Sequence, residues 1–425
     1  MLILLISLVV FLLLGIPIAY SLGLSGFLYF AFVHPELLSI LPARLFAGMN
    51  SYAMIALPLF VFMGLLMNMG GITSRLIDFS LIFVGRLKGG LGLVNVIASM
   101  IFGGISGSSV SDTASVGAVL IPEMTKKGYS PQFSSGITVA SSTMGMIIPP
   151  SVPMVIYAYI SEESVGKLFL GGLIPGVMIG FFMLAITLGV SAFRNYPKEE
   201  IHLSLRQKTA HTAKAVPALI MPVFVVGAVV AGMATATESA GLGVLYAMLI
   251  GLFVIRELDL KVIPKLLRDA IMTSATVMII IAMSKLYVWI LALEKIPQLL
   301  AAFVAGLNLP VFVILLLVVF IILAIGTFVD VSPAILLLTP VFLPAMKTLG
   351  ISGIQFGVIL ISGLAMGLVT PPVGMCLNVC SAISKLQIGT IFKSAAPFLL
   401  ANLVTLLLIT FVPALSMWLP SLLMD

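Results

Sequence analysis

Residues 141–150 read Ser141-Ser142-Thr143-Met144-Gly145-Met146-Ile147-Ile148-Pro149-Pro150, and residues 363–372 read Gly363-Leu364-Ala365-Met366-Gly367-Leu368-Val369-Thr370-Pro371-Pro372. Each lies inside a long uncharged stretch, 128–161 and 348–384. A membrane-spanning helix needs roughly 20 apolar residues, and both stretches exceed that. Proline removes a backbone donor and clashes with the preceding turn, so a proline pair unwinds a helix and frees carbonyl oxygens. Two spanning helices broken in the same way, at one offset of 222 residues, decide the fold: the chain is an internal repeat.

The register extends outward from the breaks. Residues 122–175 align without a gap on 344–397, pairing Pro122 with Pro344, Met124 with Met346, Gly128 with Gly350, Ser130 with Ser352 and Pro175 with Pro397. Upstream, Gly104 falls on Gly326. Nearer the start, Gly15 matches Gly232, Gly26 matches Gly243 and Leu28-Tyr29 matches Leu245-Tyr246 at an offset of 217. Two halves follow, 1–205 and 206–425, joined by the polar linker Arg194 to Lys214.

Composition agrees. Of 425 residues 61% are hydrophobic and 8% charged, with mean hydropathy +1.27; a soluble domain carries about 25% charged residues. The net charge of +6 reads as a topology signal and does not point to nucleic acid. Met1 runs straight into apolar sequence, so no cleavable signal peptide is expected. Cys376 and Cys380 share one helix face and read as small packing residues.

Residues 1–33, broken at Gly15-Ile16-Pro17, and 216–255, broken at Gly232 to Glu238, each read as two crossings. Further crossings fall at 51–69, 132–161, 168–192, 270–293, 354–384 and 394–417. Five per half is odd, so the halves are inverted. Residues 91–121 and 309–345 run apolar, then small and polar with one Asp, then apolar. They read as re-entrant hairpins, irregular backbone that a membrane tolerates only where protein or a wet cavity covers it. With the N-terminus outside, sixteen of the 21 Lys and Arg fall on the inner side, as inner-side loops require. Only Arg44, Lys167, Lys295 and Lys347 fall outside, and Lys285 lies within a span. The expectation is an all-α polytopic membrane protein of two inverted-topology repeats, each with a re-entrant helical hairpin and a Pro-Pro-broken helix, in the bacterial inner membrane.

Three carboxylates fall within polar islands of membrane segments, where a charge costs roughly 3 kcal/mol: Asp112 in Ser106-Gly107-Ser108-Ser109-Val110-Ser111-Asp112-Thr113, Asp330 in Gly326-Thr327-Phe328-Val329-Asp330-Val331-Ser332, and Glu238. Asp112 and Asp330 either hold their hairpin tips by accepting backbone N–H groups or flank an ion. Glu238 either caps the helix that follows it or acts in transport. Freed carbonyls and hydroxyls suit Na⁺, a hard cation that prefers oxygen, and half-helix N-termini favour an anion. The first half is richer in hydroxyls, so Ser109, Ser141, Ser142 and Thr143, with Asp112 and Asp330, are the expected substrate lining.

Ser106-Gly107-Ser108 with Asp112, Pro149-Pro150-Ser151 followed by Met154-Val155-Ile156-Tyr157, Thr237-Glu238-Ser239-Ala240, Asp330, and Thr370-Pro371-Pro372 with Gly374-Met375 together resemble the large membrane subunit of the tripartite ATP-independent periplasmic (TRAP) transporters, over essentially the whole chain. The family usually has Pro where this chain has Ala236. The resemblance implies an elevator-type symporter in which Na⁺, the coupling ion and not a resident cofactor, drives uptake of an organic acid. It implies two partners, a small four-helix membrane subunit and a soluble periplasmic protein that delivers the substrate. It implies one Na⁺ pocket at Ser106, Ser108, Gly145, Ile148 and Pro150, and another at Gly326, Gly367, Thr370 and Met375. Among family substrates a sialic-type acid is slightly favoured over a C4-dicarboxylate.

Other classes fare worse. Gly104-Ile105-Ser106-Gly107 fits the G-x-S-G pattern of intramembrane serine proteases, but His34, His202 and His211 sit in loops or span ends, leaving the serine no base. No G-x-x-x-x-G-K-[ST] loop for ATP occurs. No enzymatic activity is expected. A stand-alone Na⁺/anion symporter and, more weakly, a channel remain alternatives to the tripartite reading.

Overall fold

The computed structural model describes residues 2–198, 204–306 and 309–424. Twenty α-helices occur among them, and the described residues contain no strand. In the first half these are α1 (Leu2–Leu13), α2 (Ile18–Val33), α3 (Leu41–Met49), α4 (Ala56–Met69), α5 (Ile72–Val84), α6 (Gly90–Ser106), α7 (Ser109–Lys126), α8 (Pro131–Ser142), α9 (Val152–Ser161) and α10 (Val165–Phe193). The second half has α11 (Leu205–Val230), α12 (Ala236–Leu249), α13 (Ile263–Leu293), α14 (Ile296–Gly306), α15 (Val311–Phe328), α16 (Val331–Thr348), α17 (Gly353–Gly367), α18 (Met375–Ser384), α19 (Ile388–Phe411) and α20 (Ala414–Met424).

The repeated residues do the same local work in both halves. Ser130 caps α8 by accepting from Phe133 N, and Ser352 caps α17 by accepting from Gln355 N. Such a hydroxyl satisfies one of the donors that a helix start leaves orphaned. Gly128 and Gly350 end α7 and α16 with φ of +90° and +79°, a left-handed conformation that glycine alone adopts without a Cβ clash. Pro122 and Pro344 lie inside α7 and α16, and Pro175 and Pro397 inside α10 and α19. The hairpins are therefore α6–α7 and α15–α16, and the broken helices α8–α9 and α17–α18. Both proline pairs, Pro149-Pro150 and Pro371-Pro372, contain a cis peptide bond.

The halves interleave in space. α7 and α8 pack on α18 and α19 of the other half, and α9 packs on α16. α17 is buried along its whole length, and α8 from Phe133 to Ser142. The first hairpin closes on itself. The arms of the second touch each other little but share α17, on which both pack, while α16 also packs on α13, α14 and α9.

Three local expectations change. The second half of the expected linker, from Leu205, is already helix α11, opened by a Ser204–Gln207 capping box; the end of the first half, at 199–203, lies outside the described residues. Residues 1–33 form two helices, but α1 has 12 residues and reaches only about 18 Å at 1.5 Å per residue, short of a core of about 30 Å. Finally, the apolar stretch expected at 51–69 continues through α4 into α5, with a 67° bend between the two helices. Seven further segments are long and apolar enough to cross, α10, α11, α12 with its π-helical continuation to Ile255, α13, α15, α16 and α19, so both arms of the second hairpin have the length of a span. The protein is a multi-pass membrane protein.

Candidate functional site

At the first crossing point the hairpin tip lies directly on the proline break. α6 ends at Ser106, Gly107 reverses the chain at φ +62°, and Ser108 caps α7. The backbones meet without side chains between them. A methyl on Gly103 would lie 2.8 Å from Gly145 Cα, one on Gly107 3.0 Å from Pro150 O, and one on Gly104 3.3 Å from Ile148 Cγ2. A methyl on Gly145 would meet Ser108 O at 3.3 Å. The structure thus brings Ser106, Ser108, Gly145, Ile148 and Pro150 into one place. Val152 N donates to Gly107 O at 3.4 Å and locks tip to break, while Ser151, the cap of α9, donates to Met146 O at 2.6 Å.

The second crossing point repeats this with glycine against glycine. Gly326 lies on Gly367, 3.3 Å from its Cα to a methyl built on Gly326, and Val373 N donates to Thr327 O at 3.3 Å. Gly326, Gly367, Asp330 and Met375 line one small cleft of about 10 Å³, room for a single small ion or water. The Thr370 carbonyl adjoins Gly374, which lines the same cleft, and its hydroxyl donates to Met366 O at 2.8 Å. At each crossing point the C-terminal ends of two helices present carbonyls and the N-terminal ends of two others present N–H groups, so both cation- and anion-favouring ends converge.

The carboxylates part company. Asp330 caps α16, its Oδ1 accepting from Val331 N at 2.7 Å, and its side chain is open to the cleft. Asp112 is fully buried and neither of its oxygens has a hydrogen-bond partner, nor does Ser109 Oγ nearby in the same helix. Glu238 does what a helix cap does: with Thr235 it forms a capping box, Thr235 N donating to Glu238 Oε2 at 2.8 Å and Glu238 N to Thr235 Oγ1 at 3.2 Å. Its helix, α12, packs mainly on α4 and α11, away from the hairpin tips.

Ser141, Ser142 and Thr143 do not line an open cavity. All three are fully buried, and their hydroxyls are spent inside the fold. Ser141 donates among Asn95 Oδ1 (3.1 Å), Ser99 Oγ (3.0 Å) and Thr138 O, Ser142 donates to Val139 O, and Thr143 reaches Ala140 O and Asn402 Oδ1 (2.9 Å). Asn95 Nδ2 in turn donates to Thr138 Oγ1 at 2.7 Å. Asn95, Ser99 and Asn402 are the partners of these hydroxyls that motif reading missed, and Asn402 keeps its Nδ2 without a partner.

A family model described as the tripartite ATP-independent periplasmic transporter, DctM component, matches residues 5–415. The chain belongs to this family. It is 38% identical over 401 residues to the C4-dicarboxylate TRAP transporter large permease protein DctM of Pseudomonas aeruginosa, covering 94% of each chain. It is 33% identical over 411 residues to the sialic acid TRAP transporter large permease protein SiaM of Vibrio cholerae, covering 96% of this chain and 95% of that one. The TRAP permease fold also resembles the Alcanivorax borkumensis YdaH transporter, with a TM-score of 0.64 at 15% identity over 89% of this chain and 88% of that one. A TRAP large permease is a transporter of the inner membrane and not an enzyme, and the two buried, free cysteines fit the packing role expected of them.

Proposed function

We propose that this TRAP permease performs Na⁺-coupled symport of an organic-acid anion into the cell, receiving its substrate from a periplasmic binding protein and working with a small four-helix membrane subunit. The observation that carries the reading is the pair of mirrored crossing points, where a hairpin tip rests on a proline break through bare backbone. Oxygens gathered there without intervening side chains suit a small hard cation. Ser106, Ser108, Gly145, Ile148 and Pro150 would hold one Na⁺, and Gly326, Gly367, Thr370 and Met375 the other. The substrate is a small organic anion: relatives are named for C4-dicarboxylate, sialic acid and isethionate, which share a negatively charged oxyacid group, a carboxylate or a sulfonate. The sealed first tip needs a rearrangement before Ser109, Ser141, Ser142 or Thr143 can meet substrate.

The test is uptake of radiolabelled succinate and of sialic acid into proteoliposomes holding this chain and its small partner, with and without a Na⁺ gradient and a binding protein. Uptake that needs both establishes the proposal. Uptake that needs Na⁺ alone makes the chain a stand-alone symporter, and Na⁺-independent uptake removes the ion pockets.

A further inference from the structure

Away from both crossing points, a cleft of about 420 Å³ opens where the end of α10 meets the start of α19. Phe133, Pro397 and Phe398 form its apolar floor, and Arg194 and Lys393 stand at its rim. Both cations belong to the inner-side set, so the cleft sits at the cytoplasmic surface of the membrane. The rim is built rather than loose. Arg194 Nη1 donates to Tyr196 Oη at 3.4 Å, and the Tyr196 ring is clasped by Tyr129 and Phe133 at centroid distances of 4.7 and 4.6 Å. The Tyr196 and Ser130 hydroxyls are hydrogen-bonded at 2.9 Å. Beyond the cleft, α10 exposes Leu188 and Phe181 and α19 exposes Leu400 and Val404, an outer face that only acyl chains solvate well.

We propose that this cleft is a binding site for an anionic phospholipid of the inner leaflet. The phosphate accepts hydrogen bonds from Arg194 and Lys393, and one acyl chain lies over Phe133, Pro397 and Phe398 and along α10 and α19. Two cations over an apolar floor suit a group that is charged at one end and hydrocarbon at the other, and basic pockets between helices on the inner side take such head groups. A soluble anion would use the rim and leave the floor unfilled.

Native mass spectrometry of the purified full chain, with dioleoyl phosphatidylglycerol and dioleoyl phosphatidylcholine offered in equal amounts, tests this. One phosphatidylglycerol should be retained in preference to phosphatidylcholine. Arg194→Gln with Lys393→Gln should weaken that retention by roughly 25-fold, about fivefold per cation. Gly189→Leu should also displace the lipid. Gly189 lines the cleft and a Cβ there meets nothing within 4 Å, so this variant fills the site with both charges kept and the fold undisturbed. Lys261→Gln with Arg268→Gln, inner-side cations outside the cleft, should change nothing. The proposal is overturned if the control pair weakens retention as much as the rim pair, if Gly189→Leu retains the lipid fully, or if inorganic phosphate displaces it.

Discussion

Gly367→Ala is the sharpest test of the crossing-point geometry. A Cβ on Gly367 would fall onto the backbone of Gly326, against its carbonyl carbon, its oxygen and its Cα. Neither partner is a side chain that can swing away. Restoring the usual carbon–carbon separation of about 3.5–4.0 Å therefore forces the tip of α15 off the break by roughly 1 Å or more. Overpacking of this kind costs about 1–3 kcal/mol, which is a factor of roughly 5–150 in an equilibrium constant. The equivalent change in the first half, Gly145→Ala, brings its methyl only to 3.3 Å from Ser108 C and O, which a shift of a few tenths of an ångström relieves. Na⁺-driven uptake in proteoliposomes, read as the Na⁺ concentration for half-maximal rate, should thus rise at least fivefold in Gly367→Ala and less than threefold in Gly145→Ala. Equal effects of the two, or a Gly367→Ala variant with unchanged Na⁺ dependence, would refute the claim that backbone contact sets the second pocket.

Asp112→Asn keeps the shape of a fully buried side chain whose oxygens have no partner, so thermal unfolding in detergent should shift little, while uptake should fall at least tenfold if the carboxylate serves the ion. Thr235→Ala removes the cap of α12 and should lower stability by about 1 kcal/mol, seen as a lower unfolding midpoint with the Na⁺ dependence of uptake unchanged, since α12 packs mainly on α4 and α11. Tyr157→Phe removes a 2.6 Å hydrogen bond to Gly353 O that ties α9 to α17; a loss of about 1 kcal/mol should again appear in the midpoint. Cys376 and Cys380, both fully buried, should resist a water-soluble maleimide until the protein is denatured, as intact mass will report.

The proline pairs and the shared glycines made most of the fold legible, because each dictates backbone rather than packing. Gly128 and Gly350 could only end helices, and Pro149-Pro150 and Pro371-Pro372 could only interrupt them. The hairpin ends were less legible. α7 runs on to Lys126, five residues past the expected end, since Pro122 sits in its interior and the helix continues through it. The 67° bend between α4 and α5 follows the left-handed Gly71, a glycine with no partner in the repeat. At the candidate site, tip and break residues lie side by side, and the hydroxyls expected to line it are turned into the fold. A serine in a helix can turn its Oγ to the carbonyl one turn back, as Ser142 and Thr143 do, or to a neighbouring helix, as Ser141 does. Spacing alone does not distinguish those fates from facing a ligand.

The chain of contacts from Thr138 through Asn95 and Ser141 to Ser99 behaves as a weld between α6 and α8. Prising the two helices apart would strand at least two hydrogen bonds among buried groups, at about 1–3 kcal/mol for each group left unmet. A conformer with that seam open would be populated below about one part in thirty. The hairpin and the first half of the broken helix must therefore travel as one rigid piece, and whatever motion moves cargo across the membrane has to be taken up at its outer boundaries.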